Sequence, residues 1–280
     1  MTPLRAALDD AAARLRAAGV DSPRVDAELL LAHCLGVARS RLSTMDGPVP
    51  PEFERAVERR ANREPLQHIM GSAPFRYLDL TVGPGVFVPR PETELLVDAV
   101  LPLRDGAVVI DLCAGSGALA LAIAQESGAR VYAVERSDAA LDWLRRNAAG
   151  TTVTVVDGDV ADPGLLPELR GRVDAVVSNP PYVPTGTAVD PEVRADPDEA
   201  VFAGPDGLAV IPAVIARAAA LLHAGGVLVV EHDDTHAEAV PALLAAGGHW
   251  RDVLDHRDLA GRPRYVTAVR AGSDPKSGVG

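Results

Sequence analysis

The sequence predicts an α/β domain on a mainly parallel sheet, preceded by a small helical module and a β-hairpin linker. Three observations predict it. Residues 1–70 place apolar side chains at helical spacing, with start and stop signals between the runs. Residues 74–88 change to a period of two. From residue 107 onward, short apolar runs alternate with helical segments, the pattern of strands joined by crossover helices.

The elements follow in chain order. Thr2-Pro3 puts a capping residue before a proline at the first helical position. Leu4, Leu8, Ala11, Leu15 and Ala18 then share a face until Gly19. Ser22-Pro23 repeats the start signal, and Gly36 closes the second helix. A charged helix follows from about Pro51 to Arg63. Each helix has one face to bury, so residues 1–73 are expected to form a bundle. In the linker, residues 74–90, Leu78, Leu80 and Val82 alternate with Tyr77, Asp79 and Thr81. Gly83-Pro84-Gly85 is the expected hairpin turn. Pro91 opens a helix that turns Leu95, Leu96, Ala99 and Val100 inward. It begins the second domain, residues 91–271. Strands are expected at 107–112, 130–134, 152–156, 173–177 and 226–230. A closing antiparallel pair is expected within 250–269, around Gly261-Arg262-Pro263. Residues 272–280 read as a disordered tail.

Composition narrows the class. At 280 residues with 48% apolar and 24% charged side chains, the chain can bury a sizeable core. It contains no apolar run of membrane-spanning length, and its N-terminus mixes charges through the apolar positions, unlike a signal peptide. Cys34 and Cys113 form neither a disulfide nor a zinc pattern. A soluble, cytoplasmic monomer without membrane association is the expectation. Net charge is −12, and residues 1–75 balance ten arginines against ten acids, so the whole excess falls after residue 75. That balance opposes a polyphosphate partner, and stable nucleic-acid binding is not expected.

Two motifs carry chemistry. The first is Val109-Ile110-Asp111-Leu112-Cys113-Ala114-Gly115-Ser116-Gly117, a strand running into a glycine turn that opens a helix at Ala118. Glycines let the backbone approach a ligand, and a helix start offers free N–H groups. Glu135 ends the next strand, 20 residues after Gly115, where a carboxylate can accept the two hydroxyls of a ribose. The turn also satisfies the relaxed dinucleotide fingerprint, so a nicotinamide-dependent oxidoreductase competes. Asp111 favours S-adenosylmethionine, because it would repel a pyrophosphate and attract an ammonium and a sulfonium.

The second motif is Ser178-Asn179-Pro180-Pro181-Tyr182, directly after the strand at 173–177 and so at the same sheet edge. An amide nitrogen is a poor nucleophile because its lone pair is delocalised. The Asn179 side-chain oxygen and the Pro180 carbonyl can each accept one N–H of a planar –NH2 group and hold it in line with a methyl donor. Tyr182 offers a flat face for that group. Consecutive prolines leave no local N–H to compete for the acceptors. As a bare turn the motif is ordinary; its place after a strand gives it weight.

SNPPY after DLCAGSG resembles the N(5)-glutamine methyltransferases of peptide chain release factors. The resemblance also covers Pro65-Leu66-Gln67-His68-Ile69-Met70-Gly71, Phe75, residues Val88 to Val97 (VPRPETELLV), Glu199 to Leu208 and Asp258 to Arg264. Adenine-amine methyltransferases of nucleic acids share only SNPPY. The resemblance implies a class I, Rossmann-like S-adenosylmethionine-dependent methyltransferase fold. It implies that Cys113 to Gly117 hold the methionine part of S-adenosyl-L-methionine, with Asp111 and Asn179 beside it. Glu135 matches the ribose-binding acid, where many members carry Asp. Asp159 and Val160 match the segment beside the adenine, where some members have an aromatic residue in place of Val160. Asn179, Pro180, Pro181 and Tyr182 match the glutamine-holding loop, and the helical module matches the part that docks the release factor.

Other features carry less. His232 and His236 are four residues apart within Glu231-His232-Asp233-Asp234-Thr235-His236, but Asp and Thr at the start of a helix are ordinary caps, and no metal is expected. Cys113 reads as a small buried side chain. Arg59, Arg60 and Arg63 read as a solvated helix face. The expected reaction is direct transfer from sulfonium to the side-chain amide nitrogen of a glutamine, that of a release-factor Gly-Gly-Gln motif by the resemblance. The alternatives are a ribosomal-protein glutamine, a nucleic-acid adenine amine, and a non-catalytic cofactor-binding partner of translation.

Overall fold

The computed structural model describes residues 3–272; Thr2 and, apart from Gly272, the tail lie outside the described residues. The chain divides into two compact units. One comprises the segment through Ala73 with Val82–Pro84 and Val189–Ala195. The other comprises Pro74–Thr81, Gly85–Ala188 and the residues from Asp196 onward.

The first unit is helical: α1 Pro3–Ala17, α2 Pro23–Leu35, α3 Pro51–Ala61 and α4 Leu66–Met70. Leu8, Leu15, Leu30, Leu31, Phe53 and Val57 fill its core. α2 ends where Gly36 turns left-handed at φ 64°, and the N–H groups of Gly36 and Val37 take the carbonyls of His33 and Ala32. Arg60 departs from the expected solvated face. It is buried and bonds Asp26 at 2.7 Å, and it meets Glu192 at 2.7 Å. Arg63 takes the other oxygen of Glu192 at 2.6 Å. The segment 189–195 supplies the acid that pairs with both arginines, and a distant partner of that kind cannot be read from helical spacing.

The hairpin also differs from expectation. β1 Ser72–Phe75 pairs with β2 Leu78–Thr81, so the turn is Arg76-Tyr77 and not Gly83-Pro84-Gly85. Arg76 adopts φ 51°, which a non-glycine residue holds only with support. Glu94 accepts its N–H at 2.9 Å, and Glu126 and Asp98 take its guanidinium. The following run is buried at Val86 and Val88 without a strand partner. The Asp196 side chain accepts the Val88 N–H at 3.1 Å instead.

The second unit is a seven-stranded sheet: β3 Val108–Leu112, β4 Arg130–Glu135, β5 Thr154–Asp157, β6 Val173–Ser178, β7 Leu222–Glu231, β8 Trp250–Arg257 and β9 Pro263–Arg270. Its order is β5-β4-β3-β6-β7-β9-β8. The first five in that row are parallel, and β9 inserts antiparallel between β7 and β8. Helices α5 Glu94–Val100, α6 Ala118–Ser127, α7 Asp138–Ala148, α8 Asp198–Val201, α9 Ile211–Leu221 and α10 Ala239–Ala246 complete it. β3 is buried along its whole length, as a central parallel strand covered on both faces must be. Val109 joins the core with α5, α6 and α7; Val108, Ile110 and Leu112 join the core with α9 and α10. Among the described residues no helix is long and apolar enough to cross a membrane.

Candidate active site

Parallel pairing brings the carboxyl ends of β3, β4, β5, β6 and β7 to one edge. Leu112 stands beside Ser178 in register, and the Ser178 hydroxyl donates to the Leu112 carbonyl at 2.7 Å. That bond ties the strand before the glycine turn to the strand before Asn179. In an open α/β sheet this edge is where ligands bind.

A cavity of about 230 Å³ opens there. Asp111, Cys113, Ala114, Gly115 and Ser116 line it from the glycine turn, and Glu135 lines it from β4. Asp159 and Val160 line it beyond β5; Asn179 and Pro181 line it beyond β6. Gly117, Pro180 and Tyr182 are not among its lining residues. Gly117 serves the turn differently: at φ 88°, a Cβ there would lie 2.6 Å from a methyl of Leu144. Side chains that sequence reasoning did not single out also line the cavity, among them Phe87, Thr93, Ser137 and Glu199. Thr93 and Glu199 lay within quoted segments, Val88 to Val97 and Glu199 to Leu208, without a role; Phe87 and Ser137 were given none.

Electrostatics at the turn are distinctive. Asp111 is buried; Oδ2 accepts the Ala120 N–H at 3.1 Å, and Oδ1 has no protein partner. Burial, with the nearby charge of Glu135, pushes its carboxyl up to about 8 despite the Ala120 bond. Glu135 accepts from the backbone N–H groups of Gly115, Arg136 and Ser137, each at 2.8 Å. Cys113 sits at φ 63° in the turn and is part-exposed to the cavity rather than buried as expected, because the turn presents it there; its loss of solvent still pushes the thiol up to about 12. Asp159 folds back onto the Ala161 N–H at 2.8 Å.

On the Asn179 side a hydrogen-bond chain runs inward. Asn179 Nδ2 donates to Thr93 Oγ1 at 3.1 Å, and Thr93 donates to Glu231 Oε2 at 2.8 Å. The Tyr182 hydroxyl donates to Glu231 Oε1 at 2.9 Å. Burial and the adjacent Glu231 raise the Tyr182 phenol, so it keeps its proton. His232 and His236 serve separate contacts. His232 Nε2 faces Asp255 at 2.9 Å, while His236 Nε2 meets the Asp206 carbonyl at 2.8 Å. Asp233 caps the short turn between them.

Residues 6–71 match the family model described as PrmC N-terminal domain, and residues 78–195 match the methyltransferase small domain. A release factor glutamine methyltransferase of Mycolicibacterium smegmatis is 54% identical, over 96% of this chain and 99% of its own. A 4-amino-L-phenylalanine/4-methylamino-L-phenylalanine methyltransferase of Streptomyces pristinaespiralis is 46% identical, over 88% of this chain and 89% of its own. Among solved structures, a Pyrococcus furiosus methyltransferase superposes with a TM-score of 0.52 at 19% identity, over 70% of this chain and 90% of that one.

The sheet order, the glycine turn and the matched methyltransferase model define a class I, Rossmann-like methyltransferase dependent on S-adenosylmethionine. The chain belongs to the release factor glutamine methyltransferase family.

Proposed function

We propose that this chain methylates the side-chain amide nitrogen of the glutamine in the Gly-Gly-Gln motif of peptide chain release factors. One observation carries the reading: Asn179 and the glycine turn line the same cavity, and among the described residues no group hydrogen-bonds the Asn179 Oδ1. An unspent carbonyl acceptor on a residue that lines the donor cavity is what a planar –NH2 group needs.

The residues present fit S-adenosylmethionine. Asp111 Oδ1 is an orphaned buried acceptor suited to an ammonium, and the space beside the Gly115 Cα is open. When bound, the cofactor supplies an electrophilic methyl group on a sulfonium. In this reading Asp111 and the turn Cys113, Ala114, Gly115, Ser116 and Gly117 hold its methionine end. Glu135 takes the ribose, and Asp159 and Val160 flank the base. The Asn179 Oδ1 and the Pro180 carbonyl each accept an N–H of the substrate amide, which fixes the nitrogen's direction. Pro181 stiffens the loop, and Tyr182 backs it. The helical unit docks the protein substrate, and the chain acts as a cytoplasmic monomer without stable nucleic-acid binding.

One relative is named for 4-amino-L-phenylalanine and 4-methylamino-L-phenylalanine, so substrate class is the point to test. Radiolabelled methyl transfer is measured to release factor, to release factor with its Gly-Gly-Gln glutamine replaced, to a ribosomal protein fraction, to 4-aminophenylalanine and to double-stranded DNA. Incorporation is expected in intact release factor alone. Labelling of the aryl amine or DNA without labelling of release factor overturns the reading.

A further inference from the structure

We infer that Thr93, fixed by Glu231, is a positioning residue that decides which end of the Asn179 side-chain amide faces the substrate. The inference rests on the reading that the Asn179 Oδ1 holds the acceptor amide, and goes beyond it to what keeps that oxygen in place.

An asparagine amide has nearly the same shape in its two flipped orientations, one presenting an oxygen and the other two N–H donors. Only the first can accept an N–H from a glutamine. Covalent geometry does not choose between them; the neighbours must. Thr93 makes the choice because its hydroxyl has a single proton. With Glu231 ionised, that proton is committed to Glu231 Oε2 at 2.8 Å, so toward Asn179 the Thr93 oxygen can only accept. Asn179 therefore turns its Nδ2 to Thr93, at 3.1 Å, and its oxygen the other way. Glu231 is itself held. It is 1% exposed, ends β7, and receives the Tyr182 hydroxyl on its other oxygen at 2.9 Å. Thr93 is 3% exposed and stands immediately before α5. Polarity is thus set by a buried carboxylate on the sheet and passed through one hydroxyl to the loop.

Glu231→Gln inverts this polarity while keeping the shape. With Tyr182 donating to the new amide's oxygen, the amide's NH2 faces Thr93. Thr93 then accepts from residue 231 and donates to Asn179, which flips. Thr93→Val removes the hydroxyl at equal bulk, Thr93→Ala removes it with less bulk, and Thr93→Ser keeps it. Single-turnover methyl transfer at saturating cofactor should fall ~10- to 100-fold in Glu231→Gln, Thr93→Val and Thr93→Ala, the scale of a misoriented reacting group. It should stay within about threefold in Thr93→Ser, and cofactor affinity should stay within about threefold in all four. NMR of the free protein gives a readout independent of turnover: exchange of the Asn179 side-chain NH2 protons should be slowed in the parent and in Thr93→Ser, and fast in Thr93→Val. Hydroxyl-free variants with parental rates overturn the inference, as does a loss in Thr93→Ser equal to that in Thr93→Val. If Asn179→Ala itself is harmless, the reading of Asn179 fails. If Asn179→Ala is severe while the Thr93 variants are not, only this inference fails.

Discussion

Asp111 holds the backbone N–H of Ala120 with one carboxylate oxygen, at 3.1 Å, and leaves the other without a partner. The bond anchors the first turn of α6 to the end of β3. The orphaned oxygen is a cost the free protein carries, since a buried unpaired acceptor is disfavoured. A cation in the cavity would relieve it.

The carboxyl of Asp111 is raised by burial, and by the Glu135 charge, to about 8, so in the free protein it is mostly protonated at neutral pH. A cationic ligand binds its ionised form. Cofactor affinity should therefore rise with pH up to about 8 and level off above it, with a proton released on binding at pH 7. The stability sign is the reverse. A raised folded value favours the neutral form, so this contribution is present at low pH and lost as pH rises through about 8. Calorimetry in buffers of different ionisation enthalpy reads the proton release. Asp111→Asn should abolish it, and affinity independent of pH between 6 and 8.5 in the parent would remove Asp111 from the cofactor site.

Glu135→Ala should weaken cofactor binding by about 1.5–3 kcal/mol, the range for hydrogen bonds to a charged group. Because Glu135 also accepts the Gly115 N–H, part of the loss should appear as a looser glycine turn. Hydrogen exchange at Gly115 in the absence of cofactor separates the two contributions. Unchanged affinity would reassign Glu135 to holding the turn.

Asn179→Ala removes one of the two acceptors proposed to orient the amide and leaves the Pro180 carbonyl. Loss of one preorganised hydrogen-bonding group costs ~100- to 1000-fold in turnover. Single-turnover transfer at saturating cofactor is the measurement, with cofactor affinity changed at most several-fold. A near-parental rate would make the loop structural.

In the helical unit, burial would raise Glu192, but its bonds to Arg63 and Arg60 outweigh that and hold its carboxyl down at about 2. A lowered folded value stabilises above the unfolded value and is lost as pH falls toward 2. Glu192→Gln should cost about 1–3 kcal/mol at pH 7 and make the unit less sensitive to acid. Amide exchange in α3 at pH 7 and pH 3 reports it. Equal protection in parent and variant at both pH values would mean the ion pairs contribute nothing net.

Local periodicity made the strands of the sheet and the helical runs of the first unit legible in the sequence, because burial of one face or two leaves a pattern in the chain itself. Asp111, Glu135 and Asn179 were legible as candidates because each sits where a strand hands over to a turn. What escaped were relationships between distant segments. The hairpin turn fell on Arg76-Tyr77 because Glu94, Glu126 and Asp98 support a strained arginine, and none of the three is near it in sequence. Arg60 and Arg63 read as solvated because their acid, Glu192, lies about 130 residues away. Thr93 and Glu231 joined the Asn179 chain for the same reason: a single hydroxyl and a single carboxylate leave no periodic trace.

Tyr182 gives the last prediction. If its ring alone mattered, Tyr182→Phe would be silent. Its hydroxyl, however, is a donor to a fully buried carboxylate, and Glu231 is already raised by that burial. Tyr182→Phe should lower stability by about 1–3 kcal/mol, the cost of leaving a buried acceptor short of a partner. It should raise the Glu231 carboxyl further. Turnover should fall less than tenfold, because Thr93 still donates to the other oxygen. Tyr182→Ala also removes a ring packed into the core with α9, and should destabilise by more than the phenylalanine variant does. Denaturant unfolding of both variants, paired with single-turnover rates, separates the contributions. A phenylalanine variant as stable as the parent would show that the Tyr182–Glu231 bond contributes nothing net, and that Glu231 is satisfied without it.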